Sequence, residues 1–470
     1  MLASRRQQTT SSRILVNQRV RKKLDRRFDS VKPLDGKAGI SSSLQSWSKQ
    51  MGEVVKADNR MERHRMRLAW RRRSLCLVIV GIGGQLPFAE GQQPESWTVH
   101  AINDQVDFEA CGVADFNGDG TLDVFSGDSW YEAPDWKRHK VRSLPPCPNP
   151  HYQEDFCDAP MDVNGDGHID IVTCSYFGKR FGWVENPGTD PTQPWKEHQI
   201  DLPGNMETAV LLDINGDGQA DFLPNTGNVV VWYELTGRGA DPTWTKHELG
   251  TEGAGHGVGA GDINRDGKLD LITPSGWWEA PGSAEQKWTF HKEFDLGAAG
   301  ILIHGRDVDG DQKTDIVWGM GHGFGLYWMR QQEDAQGNRT WQKEEIDGTY
   351  SQVHTLHYAD LDGDGVEELI TGKRVYAHEV EPGDVQAPVV YAYQFLAQGA
   401  KWKRTTLFRG QPAASAPANP QERWALKDFP KGSVGTGLQV AAVDLDGDGD
   451  TDLVCPGKSG LYYLENPKHP

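Results

Sequence analysis

Hydrophobic positions in this chain come in short bursts of three to five residues, each broken by a polar loop. The bursts "DVF" from Asp123, "DIV" from Asp170, "DLI" from Asp270, "DIV" from Asp315 and "DLV" from Asp452 all follow an acidic, glycine-bearing turn. Runs this short, bounded by Gly and Asp, predict strands rather than helices. An aromatic row follows: "WYEAP" from Trp130, "GWVENP" from Gly182, "VWYEL" from Val231, "GWWEAP" from Gly276, "GLYWM" from Gly325, "VYAYQF" from Val390 and "GLYYLENP" from Gly460. A third row reads W-x-x-H. Its copies begin at Trp97, Trp136, Trp195, Trp244 and Trp288, with degenerate copies at Trp341 and Trp402.

The acidic turn is the most regular element. "DFNGDGTLD" at Asp115 recurs as "DVNGDGHID" at Asp162, "DINGDGQAD" at Asp213, "DINRDGKLD" at Asp262, "DVDGDQKTD" at Asp307, "DLDGDGVEE" at Asp360 and "DLDGDGDTD" at Asp444. Most spacings are 45–53 residues, with one longer gap before the last. Self-similarity at that period indicates an array of supersecondary units. Each unit offers four short strands: one before the turn, one after it, the aromatic strand and the Trp strand. The fold expected is all-β, a seven-bladed β-propeller of four-stranded blades. The phase of the repeat predicts closure as well. "SWTVHAI" at 96–102 precedes the first turn, whereas the last unit lacks a Trp strand, so the N-terminal strand should complete the last blade.

Clustered carboxylates repel, so the turn needs a cation. The pattern D-x-[DN]-x-D-G-x-x-D places side-chain oxygens at its first, third, fifth and ninth positions, and a backbone carbonyl at the seventh can join them. Calcium takes six to eight oxygens at about 2.3–2.6 Å, and the spacing resembles the first half of an EF-hand loop. The expected ligands are Asp115, Asn117, Asp119 and Asp123; Asp162, Asn164, Asp166 and Asp170; and Asp213, Asn215, Asp217 and Asp221. The later turns supply Asp262, Asn264, Asp266 and Asp270; Asp307, Asp309, Asp311 and Asp315; Asp360, Asp362, Asp364 and Glu368; and Asp444, Asp446, Asp448 and Asp452. Up to seven structural Ca2+ ions follow from this reading. The fifth turn is the weakest, because Gln312 replaces the turn glycine.

Composition changes the picture at the N-terminus. The 470 residues carry a net charge of −18, but residues 1–90 hold 20 Lys and Arg against 7 Asp and Glu. The remainder is strongly acidic, which excludes nucleic acid and anionic lipid as partners. From Met66, three arginines (Arg71 to Arg73) precede an apolar run from Leu75 to Ile82, with small residues near Ala89. This is the layout of a signal peptide, too short to span a bilayer. The expected organisation is a basic disordered extension or misassigned start at 1–65, a signal peptide at 66–90 and the propeller at 91–470. The location expected is secreted or periplasmic. In that oxidising setting a Cys147–Cys157 disulfide is plausible across "CPNPHYQEDFC".

At this point the acidic turns at blade spacing resemble the FG-GAP/VCBS propellers of secreted and cell-surface proteins, over roughly residues 92–470. That resemblance implies fold and calcium, not activity.

Function is expected where symmetry breaks. The histidines of the W-x-x-H row (His100, His139, His198, His247, His291) repeat with the blade and read as architecture. Six residues before the acidic turns stand Glu109, Phe156, Glu207, His256, Ile301, His354 and Leu438, and three residues before two of them stand His304 and His357. The connections between second and third strands add Lys179, Arg180, His322, Lys373, Arg374 and Lys458. These rows should line a mouth on the propeller axis. His256, His304, His354 and His357 are candidate ligands for Zn2+ or another divalent ion, or candidate bases. The segment "HTLHYADLDGDGVEELITGKRVYAH" and the blade plan are similar to the propeller domain of aldos-2-ulose dehydratase-like proteins. That similarity implies β-elimination on a sugar, a carbon–oxygen lyase activity, with Lys373 and Arg374 holding an enolate or sugar carboxylate. Trp277, Trp318 and Trp424 are candidate sugar platforms. The other reading is a non-catalytic carbohydrate- or protein-binding or adhesion module. Sequence leaves substrate and oligomeric state open.

Overall fold

The computed structural model describes residues 97–467, except 150, 284–285, 378–382, 384–385 and 413–431. All of them belong to the compact unit Pro87–Pro470. The segments expected to be a basic extension and a signal peptide, and Trp424, lie outside the described residues. The described residues form strands and no helix, and so contain no helix long and apolar enough to cross a membrane.

The first sheet runs β2 (Gly112–Ala114), β3 (Asp123–Ser126), β4 (Ser129–Glu132), β5 (Lys137–Lys140), after β1 (Thr98–Asn103) has been set aside. The second runs β6 (Cys157–Met161), β7 (Asp170–Cys174), β8 (Phe181–Glu185), β9 (Lys196–Asp201). The third runs β10 (Ala209–Leu212), β11 (Asp221–Pro224), β12 (Val230–Gly237), β13 (Thr243–Gly250). A long sheet holds β14 (Val258–Gly261), β15 (Asp270–Thr273), β16 (Gly276–Glu279) and β17 (Thr289–His291). It continues through β18 (Leu302–Arg306), β19 (Asp315–Gly319), β20 (Phe324–Glu333) and β21 (Arg339–Ser351). The penultimate sheet is β22 (Leu356–Ala359), β23 (Glu368–Gly372), β24 (Val389–Leu396), β25 (Lys401–Arg409). The closing sheet is β26 (Ala441–Val443), β27 (Asp452–Cys455), β28 (Leu461–Glu465) and then β1.

Each acidic turn joins the first two strands of its unit, as the spacing predicts. β1 pairs antiparallel with β28, Thr98 opposite Glu465 and Ala101 opposite Tyr462. The first strand of the propeller therefore completes the last sheet. The Leu438 N–H also donates to the Glu109 carbonyl at 2.7 Å, tying the last unit's inner strand to the first.

The sheet count differs from the expected seven separate blades: there are five four-stranded sheets and one of eight strands. β14 and β18 pair in parallel, Val258 to Leu302 and Ala260 to His304. Local sequence permits this. A Cβ on Gly259 would lie 1.6 Å from the Ile303 carbonyl oxygen, and one on Gly261 would lie 2.6 Å from Gly305 Cα. Where two inner strands are this bare, their backbones approach to hydrogen-bonding distance.

The core lies between neighbouring sheets. Phe116, Phe125, Trp130, Ile171 and Trp195 fill one gap, and Phe181, Trp183, Phe222 and Tyr233 fill the next. Trp277 and Trp318 belong to this core, 1% and 0% exposed, so neither is a sugar platform. Trp277 stacks on His291 at 4.4 Å, as Trp130 does on His139 and Trp183 on His198. It follows the repeat after all.

The expected Cys147–Cys157 bridge is not formed. Cys157 stands in β6 directly opposite Cys174 in β7, enclosed in the core between the second and third sheets. Pairing in the ladder fixes Cys157 inward, and Cys147 packs against the same core cluster without bridging to it.

Candidate functional site

The acidic turns use their carboxylates in two ways. The ninth residue is buried and bonds to backbone. Asp123 Oδ2 accepts from the Phe116 N–H at 3.1 Å and Oδ1 from the Ala133 N–H at 2.9 Å. Asp170, Asp270, Asp315 and Asp452 repeat the arrangement, and Glu368 keeps its first half with the Leu361 N–H. Burial pushes Asp123 up to about 6 and Asp170 to about 7, more than those donors offset. The first residue organises the turn. Asp115 accepts from the N–H groups of Gly118, Asp119 and Gly120. Gly120 sits at φ 91°, and Gln312 holds the equivalent place at φ 67°. A side chain in that left-handed region costs about 1–2 kcal/mol.

Three turns gather carboxylates closely enough to grip one ion: Asp307, Asp309 and Asp311; Asp360, Asp362 and Glu368; Asp444, Asp446 and Asp452. The donors are all hard oxygens, and Asp360 Oδ1 is buried without a hydrogen-bond partner, which fits calcium. The fifth turn already carries protein cations. Lys313 Nζ lies 2.8 Å from Asp311, and Arg330 contacts Asp309.

The second cluster draws on every four-stranded sheet and both halves of the long one. Glu109 precedes β2, Tyr152 precedes β6, Glu207 precedes β10, His256 precedes β14 and His354 precedes β22. His322 lies between β19 and β20, Arg374 follows β23, and Lys458 lies between β27 and β28. Groups from all these units can touch only at the axis. Arg374 is fully buried and bidentate to Glu109, with Nε–Oε1 at 2.8 Å and Nη2–Oε2 at 2.9 Å. Its Nη1 donates to Glu207 Oε1 at 2.9 Å. Glu207 Oε2 meets His256 Nε2 at 2.8 Å, and Oε1 lies 3.7 Å from His354 Nε2. Lys458 Nζ lies 3.6 Å from Glu109 and over the Tyr152 ring at 3.9 Å.

Burial opposes the charge of Glu207, but the contact with His256, then Arg374 and His354, hold it well below the usual carboxylate range. Burial likewise opposes ionisation of Glu109, and Arg374 and Lys458 outweigh it. Burial lowers His256, while Glu207 raises it further, for a net upward shift.

Gln352 is the hub beside this chain. It is fully buried and held at φ 62°, a strained conformation costing about 1–3 kcal/mol. Its carbonyl accepts from His354 Nδ1 and from the Arg374 N–H, its N–H donates to the Gly323 carbonyl, and its side chain takes the Lys373 ammonium.

Of the expected site residues, His256, His354 and Arg374 come together, with Lys373 adjoining through Gln352. Lys373 and Arg374 are enclosed, 1% and 0% exposed, so they position other groups rather than meet a ligand. His304 and His357 stand apart. Their β18 and β22 positions pack between sheets: His304 Nε2 donates to the Leu356 carbonyl at 3.0 Å, and its ring abuts Tyr358. Burial pushes His304 down to about 4. Glu109, Glu207, His322 and Lys458 belong to rows visible in the sequence, but charge pairing across the ring was not. The W-x-x-H histidines are architectural, as expected. Each rests on an aromatic ring two residues before a glutamate, and its Nε2 meets that glutamate, as in His139–Glu132, His198–Glu185 and His247–Glu234, each 2.7 Å.

A cavity of about 110 Å³ lies off the axis, lined by Arg142, Glu154, Arg180, Glu197 and His198 among others. It falls short of the roughly 300 Å³ at which small-molecule sites begin.

Two segments, residues 162–223 and 307–371, match the FG-GAP-like repeat family, so the chain carries FG-GAP-like repeats on a β-propeller arrangement. No curated protein matches. Among solved structures, similarity extends to an Agrocybe aegerita lectin recognising non-reducing terminal N-acetylglucosamine. That match has 16% identity and TM-score 0.39, covering 64% of this chain and 81% of that one. The rhamnogalacturonan lyase YesW gives 15% identity and TM-score 0.40, covering 80% and 74%. BBS1N, solved with ARL6DN, gives 11% identity and TM-score 0.41, covering 80% and 98%. Likeness this distant carries no conclusion about chemistry.

Proposed function

We propose that this is a secreted or periplasmic, calcium-loaded propeller that acts on a sugar at its axial mouth, as a dehydratase or lyase by β-elimination. The observation that carries the reading is the chain His256–Glu207–Arg374–Glu109. Two carboxylates and a guanidinium are buried across the axis, at a desolvation cost that packing alone does not require, and they hold a half-buried imidazole. Function commonly resides in such perturbed, clustered groups. Tyr176 and Phe177 are half-buried, Tyr176 lies within the field of Glu207, and such rings suit the face of a sugar. In the reaction, the α-proton of a ketosugar or uronate passes to a base in the mouth. The C–H electron pair forms the new double bond, and the β-oxygen leaves with a proton.

The same reading takes 66–90 as the export signal and the acidic turns as Ca2+ sites. It takes the long sheet as two blades sharing one ladder, seven in all, since Trp277, Trp318, Ile303 and Met329 pack between its halves as between separate sheets.

One observation favours the binding module instead: Lys373 and Arg374 are committed to protein partners. The test is incubation of the calcium-loaded full chain with ketosugars and uronic-acid polysaccharides, following ultraviolet-absorbing unsaturated product. Turnover that falls by about 10²–10⁴ in His256→Gln supports the lyase. Saccharide binding without product, read by calorimetry, supports the binding module. The absence of both product and binding overturns the carbohydrate assignment.

A further inference from the structure

The proposal above leaves open what the axial imidazoles do, and their geometry is specific. His256, His322 and His354 come from both halves of the long sheet and from the penultimate sheet. One ring nitrogen of each lies within 4.8 Å of the others. The rings stand edge to face, with centroids 4.4 Å apart for His256 and His322, 5.5 Å for His256 and His354, and 5.9 Å for His322 and His354.

Two of the rings are oriented from behind. His256 Nδ1 donates to the Ala299 carbonyl at 2.5 Å and His354 Nδ1 to the Gln352 carbonyl at 3.2 Å. A carbonyl can only accept, so each Nδ1 carries a proton and each Nε2 is turned forward, where it offers a lone pair once a metal ion has displaced any proton it holds. Both Nε2 atoms face the Glu207 carboxylate, at 2.8 and 3.7 Å. His256 Nε2 is buried and, despite that short approach, does not meet the carboxylate in hydrogen-bonding geometry. Imidazoles whose far nitrogens donate to backbone, converging with one carboxylate, form the usual surroundings of a protein-bound transition metal. The donor set is too rich in nitrogen for calcium or magnesium. It is also chemically unlike the all-oxygen acidic turns.

We infer that His256, His322 and His354, beside the Glu207 carboxylate, hold one divalent transition-metal ion of the zinc type. Gln352 acts as a positioning residue. Its strained backbone aims His354, anchors the loop next to His322 through Gly323, and fixes Arg374, which in turn holds Glu207. Because Glu207 and Glu109 are already paired with Arg374, the ion's charge is not cancelled by the protein. An open coordination position on it would take an anionic or carbonyl oxygen, such as that of a sugar acid or ketosugar. Such an ion supplies Lewis-acid polarisation of that oxygen. The substrate part of this inference rests on the carbohydrate reading; the metal site does not.

The test separates the two. The full chain is kept in excess Ca2+, to hold the acidic turns, then titrated with Co2+ and desalted. The expected result is about one cobalt per chain with the visible absorption bands of nitrogen-ligated Co2+. His322→Ala and His256→Gln should each weaken binding by more than the roughly 10–100-fold that outer-shell changes cost. His357→Gln, outside the cluster, should bind as the native chain does. Using two ligand variants guards against one that fails to fold. A folded native chain that retains no cobalt, or bands that persist in both ligand variants, would overturn the site. Metal retained without turnover or binding of any saccharide would count against the sugar and leave the ion in place.

Discussion

Histidine meets glutamate in two regions of this molecule, and the settings differ. At the outer edge, His198 lies flat on Trp183 with its ring bonded to Glu185, and the group is partly in water, 22% and 32% exposed. At the axis, His256 is about as exposed as His198, at 21%, but the Glu207 it meets is only 9% exposed and is tied through Arg374 to Glu109. The outer pair recurs at His100, His139, His247 and His291, each opposite an aromatic residue two positions before its glutamate, because one strand pairing creates it. The axial pair occurs once and needs several sheets. Repetition marks a contact that serves folding. Its absence, joined to burial of charge, marks a site.

The comparison can be broken most severely at the axis. Arg374→Met should destabilise the protein by about 3–5 kcal/mol, because it leaves Glu109 and Glu207 buried without their cation. Denaturant unfolding would measure this, and a loss under 1 kcal/mol would mean the network is solvated.

His304 offers a third setting, an imidazole kept neutral by burial among His357, Arg306, Glu367 and Tyr358. Its pKa is about 4 in the folded chain against about 6.5 when unfolded. The unfolded chain therefore binds a proton that the native chain refuses. Stability is full above pH 6.5 and declines as pH falls towards 4, by up to about 3 kcal/mol. His357 is shifted the same way by burial and adds to the trend. Melting temperature against pH should flatten over that window in His304→Asn.

On the calcium reading proposed above, removal of the ions tests the rim. Each ion held at 100 times its dissociation constant stabilises by about 2.7 kcal/mol, so a chelator should lower the melting temperature and restored calcium should raise it. Asp362→Asn should reduce that response more than Asp309→Asn, since Arg330 and Lys313 already neutralise the fifth turn. Equal effects would remove this distinction. The smallest change belongs to the outer pair. His198→Ala should cost about 1 kcal/mol for the lost stack and exposed pairing, with cobalt binding at the axis unaltered.

Much of this was legible in the chain. Three rows in step, the acidic turns, the aromatic strands and the W-x-x-H strands, specified the four-stranded unit and the return of the strand Thr98–Asn103 to the last sheet. They did so because a repeated hydrophobic pattern buries the same faces each time, so local order implies packing. The ring position of Glu109, Glu207, His256 and His354 was legible too, six residues before each turn. What sequence could not decide is which of these groups meet. Arg374 reaches Glu109 across 265 residues and Glu207 across 167, and no local pattern encodes contacts across a closed ring. The same holds for the parallel ladder between β14 and β18, which followed from bare glycines on two strands facing each other. His304, a candidate ligand in the sequence, bonds to the Leu356 carbonyl away from the axis, whereas His322, expected only to line the mouth, stands beside His256 and His354. Residue chemistry proposes a ligand, but strand direction decides whether it faces the axis or the gap between sheets.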